Sequence, residues 1–309
     1  MTQERQVMSK IQFFDRPTQT IQTEQVYGDW ALNLLYGNSL TSKTIGKTIL
    51  RRVFRYPCIS SLYGRLQDRK KSSKKVLPFI KKFGLDSSEF LIPPEQYKTF
   101  NEFFTRKLKP SARPINPDPK EIMLPADGRY LVIPDISKNP GFFVKGQHFN
   151  LDKFLNNYKL AKKYQNGSLV LARLCPTDYH RFHFPCSGRS SKPELINGYL
   201  YSVNPKALKE NIGFLWENKR QITSIETEHF GTILMIEIGA TNVGSIIDTY
   251  EYSTVVEKGQ EKGYFSFGGS SIVLLFESDT IVFSKDLLSM SQQHIEVRGL
   301  MGQELGRSS

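Results

Sequence analysis

The sequence predicts an α+β chain: a helical, basic N-terminal region suited to docking on a membrane, then a mostly antiparallel β core built as a sandwich or a partly open barrel. Three observations carry that expectation. After residue 120, short β-prone runs (130–132, 168–174, 233–238, 254–256 and 272–276) alternate with corners of Gly, Pro and Asn. Between residues 26 and 82 the apolar positions instead follow a helical period. The charge is also lopsided. Residues 41–82 hold thirteen Lys or Arg and one acid, Asp68, which equals the whole formal net charge of +12.

Residues 1–25 are polar and expected to form a flexible arm. In the helical region, Ile45, Ile49, Val53 and Tyr56 share one face, widened by Leu50 and Phe54, with Lys47, Arg51 and Arg55 opposite. Such a helix suits the surface of an anionic bilayer; an ordinary helix packed on the core with a solvated basic face gives the same pattern. Residues 26–120 are taken as this membrane-associating region and its connector, with a short helix at 100–108 and an extended crossing enforced by Pro110, Pro114, Pro117 and Pro119. Residues 121–309 form the catalytic domain, interrupted by helices near 151–163 and 205–209. No run approaches the ~18 apolar residues of a spanning helix. Cys58, Cys175 and Cys186 are an odd set in a chain whose N-terminus lacks a signal-peptide core, so free thiols and a reducing compartment are expected.

Three stretches could carry chemistry. Gly268-Gly269-Ser270-Ser271 precedes the apolar run 272–276, placing a serine hydroxyl beside an unhindered glycine carbonyl. That is either a tight turn entering a buried strand or a self-cleaving Gly–Ser bond. Asp127 lies in a Pro-Ala-Asp-Gly corner, where turn chemistry alone explains an Asp-Gly pair. The segment 178–185 holds His180 and His183, two of the five histidines. An extended segment would turn them to different sides, and an irregular loop would let both reach one pocket. Cys175, His180, His183 and Cys186 have zinc-compatible residue types, but they form one compact cluster interrupted by Pro176 and Pro185, so no metal is expected.

Together these stretches resemble phosphatidylserine decarboxylase, a pyruvoyl-dependent family. Asp127 in its corner, the Tyr-His-Arg-Phe-His run 179–183 and the Gly-Gly-Ser-Ser corner carry the resemblance. The stretches 99–106, 143–146, 203–205, 217–220, 239–245 and 258–265 support it, in order, over about residues 27–276. Two departures are Ser271, where the family usually has Thr, and Gly268, where many members carry Leu.

The resemblance implies a proenzyme that cuts itself between Gly269 and Ser270 into chains 1–269 and 270–309. Ser270 acts as nucleophile, His183 as its base and Asp127 as the orienting acid. It also implies that Ser270 becomes a covalent pyruvoyl group, the only cofactor, which condenses with the substrate amine and acts as an electron sink. His180 would manage protons during decarboxylation, although His183 could serve both steps; Arg181 either meets an anion or acts as a structural ion-pair partner. The expected partners are phosphatidylserine in an anionic membrane surface and the chain's own two halves as a heterodimer, with a homodimer of these the next level. The location is peripheral, on the cytoplasmic face of a membrane. Nucleic acid is not expected, because few aromatics interleave with the basic run. Rival readings are a catalytically silent basic adaptor, a serine hydrolase using Asp127, His183 and Ser270, and a pyruvoyl decarboxylase of a soluble amino acid.

Overall fold

The computed structural model describes residues 11–24, 64–138, 149–240, 246–266, 268 and 270–309. The proposed amphipathic helix around 43–56, the stretch 143–146, residues 241–245 and Gly269 lie outside them. The strands in chain order are β1 (Gln12–Asp15), β2 (Thr20–Thr23), β3 (Glu121–Met123), β4 (Gly128–Ile133), β5 (Ser168–Leu174), β6 (Arg181–His183), β7 (Gly188–Ser190), β8 (Glu194–Ile196) and β9 (Arg220–Glu226). There follow β10 (Thr232–Gly239), β11 (Ile246–Asp248), β12 (Val255–Val256), β13 (Glu261–Phe265), β14 (Ser270–Phe276), β15 (Ile281–Phe283), β16 (Glu296–Gly299) and β17 (Glu304–Ser308). The α-helices are α1 (Val76–Phe83), α2 (Phe100–Phe104), α3 (Leu151–Leu155), α4 (Tyr158–Tyr164), α5 (Pro205–Glu210), α6 (Phe214–Glu217) and α7 (Lys285–Gln292).

One large sheet runs in the order β12-β7-β9-β10-β14-β5-β4-β16-β1-β2, with β8 also paired to β9; two three-stranded sheets, β11-β13-β6 and β15-β17-β3, accompany it. Every pairing is antiparallel except β1 with β16. The path is open at both ends, so the architecture is layered and no barrel closes.

The strand period explains the layers. Along β14, Ile272, Leu274 and Phe276 enter a core shared with Phe182, Phe184, Phe265 and Phe283, whereas Val273 and Leu275 face a second core. That second core is closed by helical residues Phe154, Tyr164, Leu208 and Phe214. A strand buried on both faces needs apolar residues at consecutive positions. A third cluster, Val76, Phe79, Phe90, Tyr97, Phe100, Phe103 and Phe104, forms a separate helical cap. Gly84 ends α1 in the left-handed region with φ +62°.

Three expectations change. The helix expected at 100–108 stops at Phe104, because Leu108 bridges to Phe90 and Lys109 N–H donates to the Glu89 carbonyl at 2.8 Å. The insertion at 151–163 is two helices, because Asn156 takes φ +51° and the Asn157 side chain caps the second by accepting from Leu160 N–H at 3.1 Å. The arm is not loose over residues 11–24: β1 and β2 form a hairpin, and β1 pairs with β16.

The hairpin is held by charge. Glu24 accepts from Arg173 Nη2 at 2.6 Å, and the same nitrogen lies 2.6 Å from Glu296. Burial pushes the Glu24 carboxyl upward, yet Arg173 and Arg129 bring it down to about 2. Removing one partner of a buried ion pair leaves an uncompensated charge, at a cost of about 3–5 kcal/mol. Arg173→Met should therefore lower stability by about that amount, measured as a fall in denaturation midpoint; an unchanged midpoint would show that Glu24 and Glu296 find other partners.

Candidate active site

Ser270 opens β14, opposite Gly239 of β10 on one side and Leu174 of β5 on the other. It is fully buried, and its hydroxyl has no hydrogen-bond partner among the described residues. A buried orphan hydroxyl forfeits its bonds to water without replacement, so it requires an explanation. Just upstream, Gly268 has φ +144°, a conformation that a leucine at this position would adopt only under strain.

Asp127 sits at the corner between β3 and β4. The corner is fixed by Tyr130, whose hydroxyl donates to the Ala126 carbonyl and accepts from Ala126 N–H. The carboxylate is occupied: Arg113 donates from Nε to Oδ1 at 2.9 Å and from Nη2 to Oδ2 at 2.6 Å, and Met301 N–H donates to Oδ1 at 2.9 Å. Arg113 is therefore a site residue that sequence reasoning missed. It lies in the proline-rich connector, and nothing in its local pattern sets it apart from the neighbouring basic residues.

His183 ends β6, and its backbone N–H donates to the Pro125 carbonyl at 2.8 Å, stitching the histidine segment to the Asp127 corner. Its ring lies 5.8 Å from that of Tyr179 at 28°, and Nδ1 has no partner. Asp127 thus acts on His183 through charge and not through a hydrogen bond. Burial pushes the His183 imidazole down to about 4, opposed by the carboxylates of Glu261 and Asp127.

His180 stacks on Phe104 of the helical cap, with centroids 3.9 Å apart at 26°. Its Nε2 lies 2.9 Å from the Cys175 carbonyl. A carbonyl only accepts, so Nε2 carries the proton, leaving buried Nδ1 as an unpartnered acceptor. Burial drives His180 down to about 3. The surrounding loop is tied by Arg129 to Asp178 and by Arg106 Nη2, which donates to the carbonyls of Thr177 and Asp178 at 3.2 Å each.

The structure brings Asp127 and His183 to one corner and places Ser270 at a strand entrance, with no hydrogen bond joining Ser270 to either histidine. Arg181 takes its structural role: it pairs with Glu261 at 2.7 Å and donates from Nε to the Thr105 carbonyl at 2.9 Å. Cys175 does not face a metal cluster. Arg173 Nη1 donates to its sulfur at 3.0 Å, burial pushes the thiol pKa up, and no metal-holding group of three His, Cys, Asp or Glu occurs among the described residues.

Both histidines have depressed folded values, so they favour folding above their ordinary value of ~6.5 and lose that contribution as pH falls through it toward 4. The denaturation midpoint should fall progressively below pH 6.5, and replacing both histidines by Asn should flatten that fall above pH 5. An equal slope in the variant would assign the acid sensitivity to other groups.

Comparison with known proteins gives the family. The family model for phosphatidylserine decarboxylase matches residues 100–307. The phosphatidylserine decarboxylase proenzyme of Fusobacterium nucleatum subsp. nucleatum is 44% identical over 297 residues, covering 96% of this chain and 97% of that protein. Proteins with the same name from Chlamydia pneumoniae and Clostridium tetani are 43% and 40% identical, each covering at least 96% of this chain and 98% of its own length. The chain therefore belongs to the phosphatidylserine decarboxylase family and, with it, to the carboxy-lyases.

Proposed function

We propose that the chain is a proenzyme that cuts itself between Gly269 and Ser270, converts Ser270 to a pyruvoyl group, and turns phosphatidylserine into phosphatidylethanolamine and carbon dioxide. The observation that carries this reading is the fully buried Ser270 hydroxyl, unpartnered among the described residues and directly after the Gly-Gly pair of the sequence. In the maturation step, Oγ attacks the Gly269 carbonyl carbon and the C–N bond breaks, moving the acyl group from nitrogen to oxygen. Loss of the Cα proton with cleavage of the Cβ–Oγ bond then releases the Gly269 carboxylate. Addition of water expels ammonia and leaves a ketone at residue 270. That ketone supplies the electron sink for decarboxylation.

His183, held neutral by burial, is free to accept the Ser270 proton. No hydrogen bond yet joins it to Ser270, and catalytic hydrogen bonds often form only in the reacting complex. Asp127 favours the resulting imidazolium through its charge, and Arg113 fixes that carboxylate. His180, with an open Nδ1 under the cap, handles protons around the substrate.

Charge supports peripheral docking on an anionic bilayer, at the cytoplasmic face. Arg65, Arg69, Lys70, Lys71, Lys74, Lys75, Lys81 and Lys82 are all exposed, alongside exposed Leu66 and Leu77. No helix among the described residues is long and apolar enough to cross a membrane. The same cap carries Phe104, so the basic surface and the ring that stacks on His180 share one small unit.

Two measurements test these statements. Intact mass of the purified protein should give two chains, with the shorter beginning at residue 270 and carrying a ketone, while Ser270→Ala stays at full length. A single full-length mass for folded wild type would overturn the mechanism. At about 1 kcal/mol per basic residue near an anionic surface, changing Lys70, Lys71, Lys74 and Lys75 to Gln should weaken flotation with phosphatidylserine vesicles by at least about tenfold; equal binding to neutral vesicles would remove the electrostatic basis.

A further inference from the structure

A second buried charge cluster lies on the sheet face that carries Ser270, and the mechanism above does not use it. Lys262 Nζ is 3.0 Å from Glu237 Oε2, and both side chains are completely buried. Asp248 Oδ1 is 3.7 Å from the same ammonium, which also lies 5.5 Å and 5.4 Å from the ring centroids of Phe182 and Tyr250. Asp248 is itself held by Gln221 Nε2 and by the Tyr252 hydroxyl, both donating to Oδ2.

The backbone is shaped to bring these groups inward. The ladder between β13 and β6 shifts register between Glu261 and Gly263, leaving Lys262 as the extra residue of a bulge. Bulges re-aim side chains and are over-represented beside active sites. On β10, Gly239 is opposite Ser270 and Glu237 is opposite Ile272, so Glu237 and Ser270 are diagonal neighbours on one face. Glycine at 239 leaves no side chain between the Glu237 carboxylate and the Ser270 hydroxyl along that row. Neither Glu237 oxygen has a well-directed hydrogen bond among the described residues.

Stability alone does not account for the pair. Desolvating two ions costs several kcal/mol each, and well-packed apolar residues commonly replace such pairs without loss. Among the described residues, the charges facing Glu237 are Lys262 from β13 and Asp248 from β11, with the Tyr250 phenol beside them; β6, β9 and β14 present Phe182, Gln221, Thr223, Ser270 and Ile272, none of them charged.

We propose that Glu237 and Lys262 are positioning residues for the chemistry at residue 270: ionised Glu237 makes the cluster net negative and favours the positive charge that His183 gains on taking the Ser270 proton, and Lys262 holds Glu237 in that ionised form. Burial raises the Glu237 carboxyl to about 7, opposed by Lys262, so the cluster changes charge near neutrality. The two histidines, lowered to about 3 and 4, do not titrate in that range.

This inference rests on the self-cleavage reading. Full-length chain made by cell-free synthesis would be held at fixed pH between 5.5 and 8.5, and the fraction cut would be followed by intact mass. Wild type should mature faster as pH rises through about 7. Glu237→Gln should mature at least about tenfold more slowly, with a flat profile. Lys262→Met should move the rising limb to higher pH, because loss of the ammonium disfavours ionised Glu237. The double variant Glu237→Leu/Lys262→Met removes both charges together, and it should fold by circular dichroism and remain slow. Folded variants that mature at the wild-type rate with the wild-type profile would make the pair merely structural. Wild type that never cuts would instead refute the self-cleavage reading.

Discussion

A strand with apolar side chains on both faces has to be covered twice, and β14 is covered by a sheet layer on one side and helices on the other. Its neighbours β5 and β10 complete its hydrogen bonds along both edges. Ser270 is the first residue inside this enclosure. The same burial that makes the strand rigid removes water from the serine hydroxyl and leaves both histidines neutral. Core packing and reactivity are therefore one constraint: a looser strand entrance would hydrate the hydroxyl and restore ordinary imidazole behaviour.

Charges inside the molecule fall into two kinds. The Glu24, Arg173, Glu296 and Arg129, Asp178 pairs are closely hydrogen-bonded and join the hairpin, the sheet and the 175–180 loop. The Glu237, Lys262 and Asp248 group is less completely bonded, and its Glu237 is a diagonal neighbour of Ser270 across β10 and β14. The first kind orders backbone. Arg113 and Arg106 extend it into the cap, so His180 is gripped from the side that presents the basic surface.

Much of this was legible in the sequence because it is local. The runs at 168–174 and 272–276 name their own strands, and the Asn156-Asn157 pair explains the break between α3 and α4 once both residues are seen as turn and cap formers. The Gly-Gly-Ser-Ser corner and the 179–183 run marked the candidate positions through resemblance. What stayed hidden is long-range. Arg113 reaches Asp127 across a chain reversal, Glu24 is buried by a partner at residue 173, and Lys262 turns inward through a one-residue bulge. None of these leaves a periodic trace. The polar composition of residues 11–24 concealed a hairpin because its strands are short and only one lies between neighbours.

The parallel pairing of β1 with β16 joins Phe13 to Glu296 and Phe14 to Val297. β1 thus waits for a partner made far later in the chain. Contacts of such sequence separation form late, because the intervening chain must be closed first. Until then, Arg129, Arg173 and Glu24 stay hydrated, and their desolvation is deferred to the moment when every partner is present. The hairpin is a latch that closes only once β16 is present.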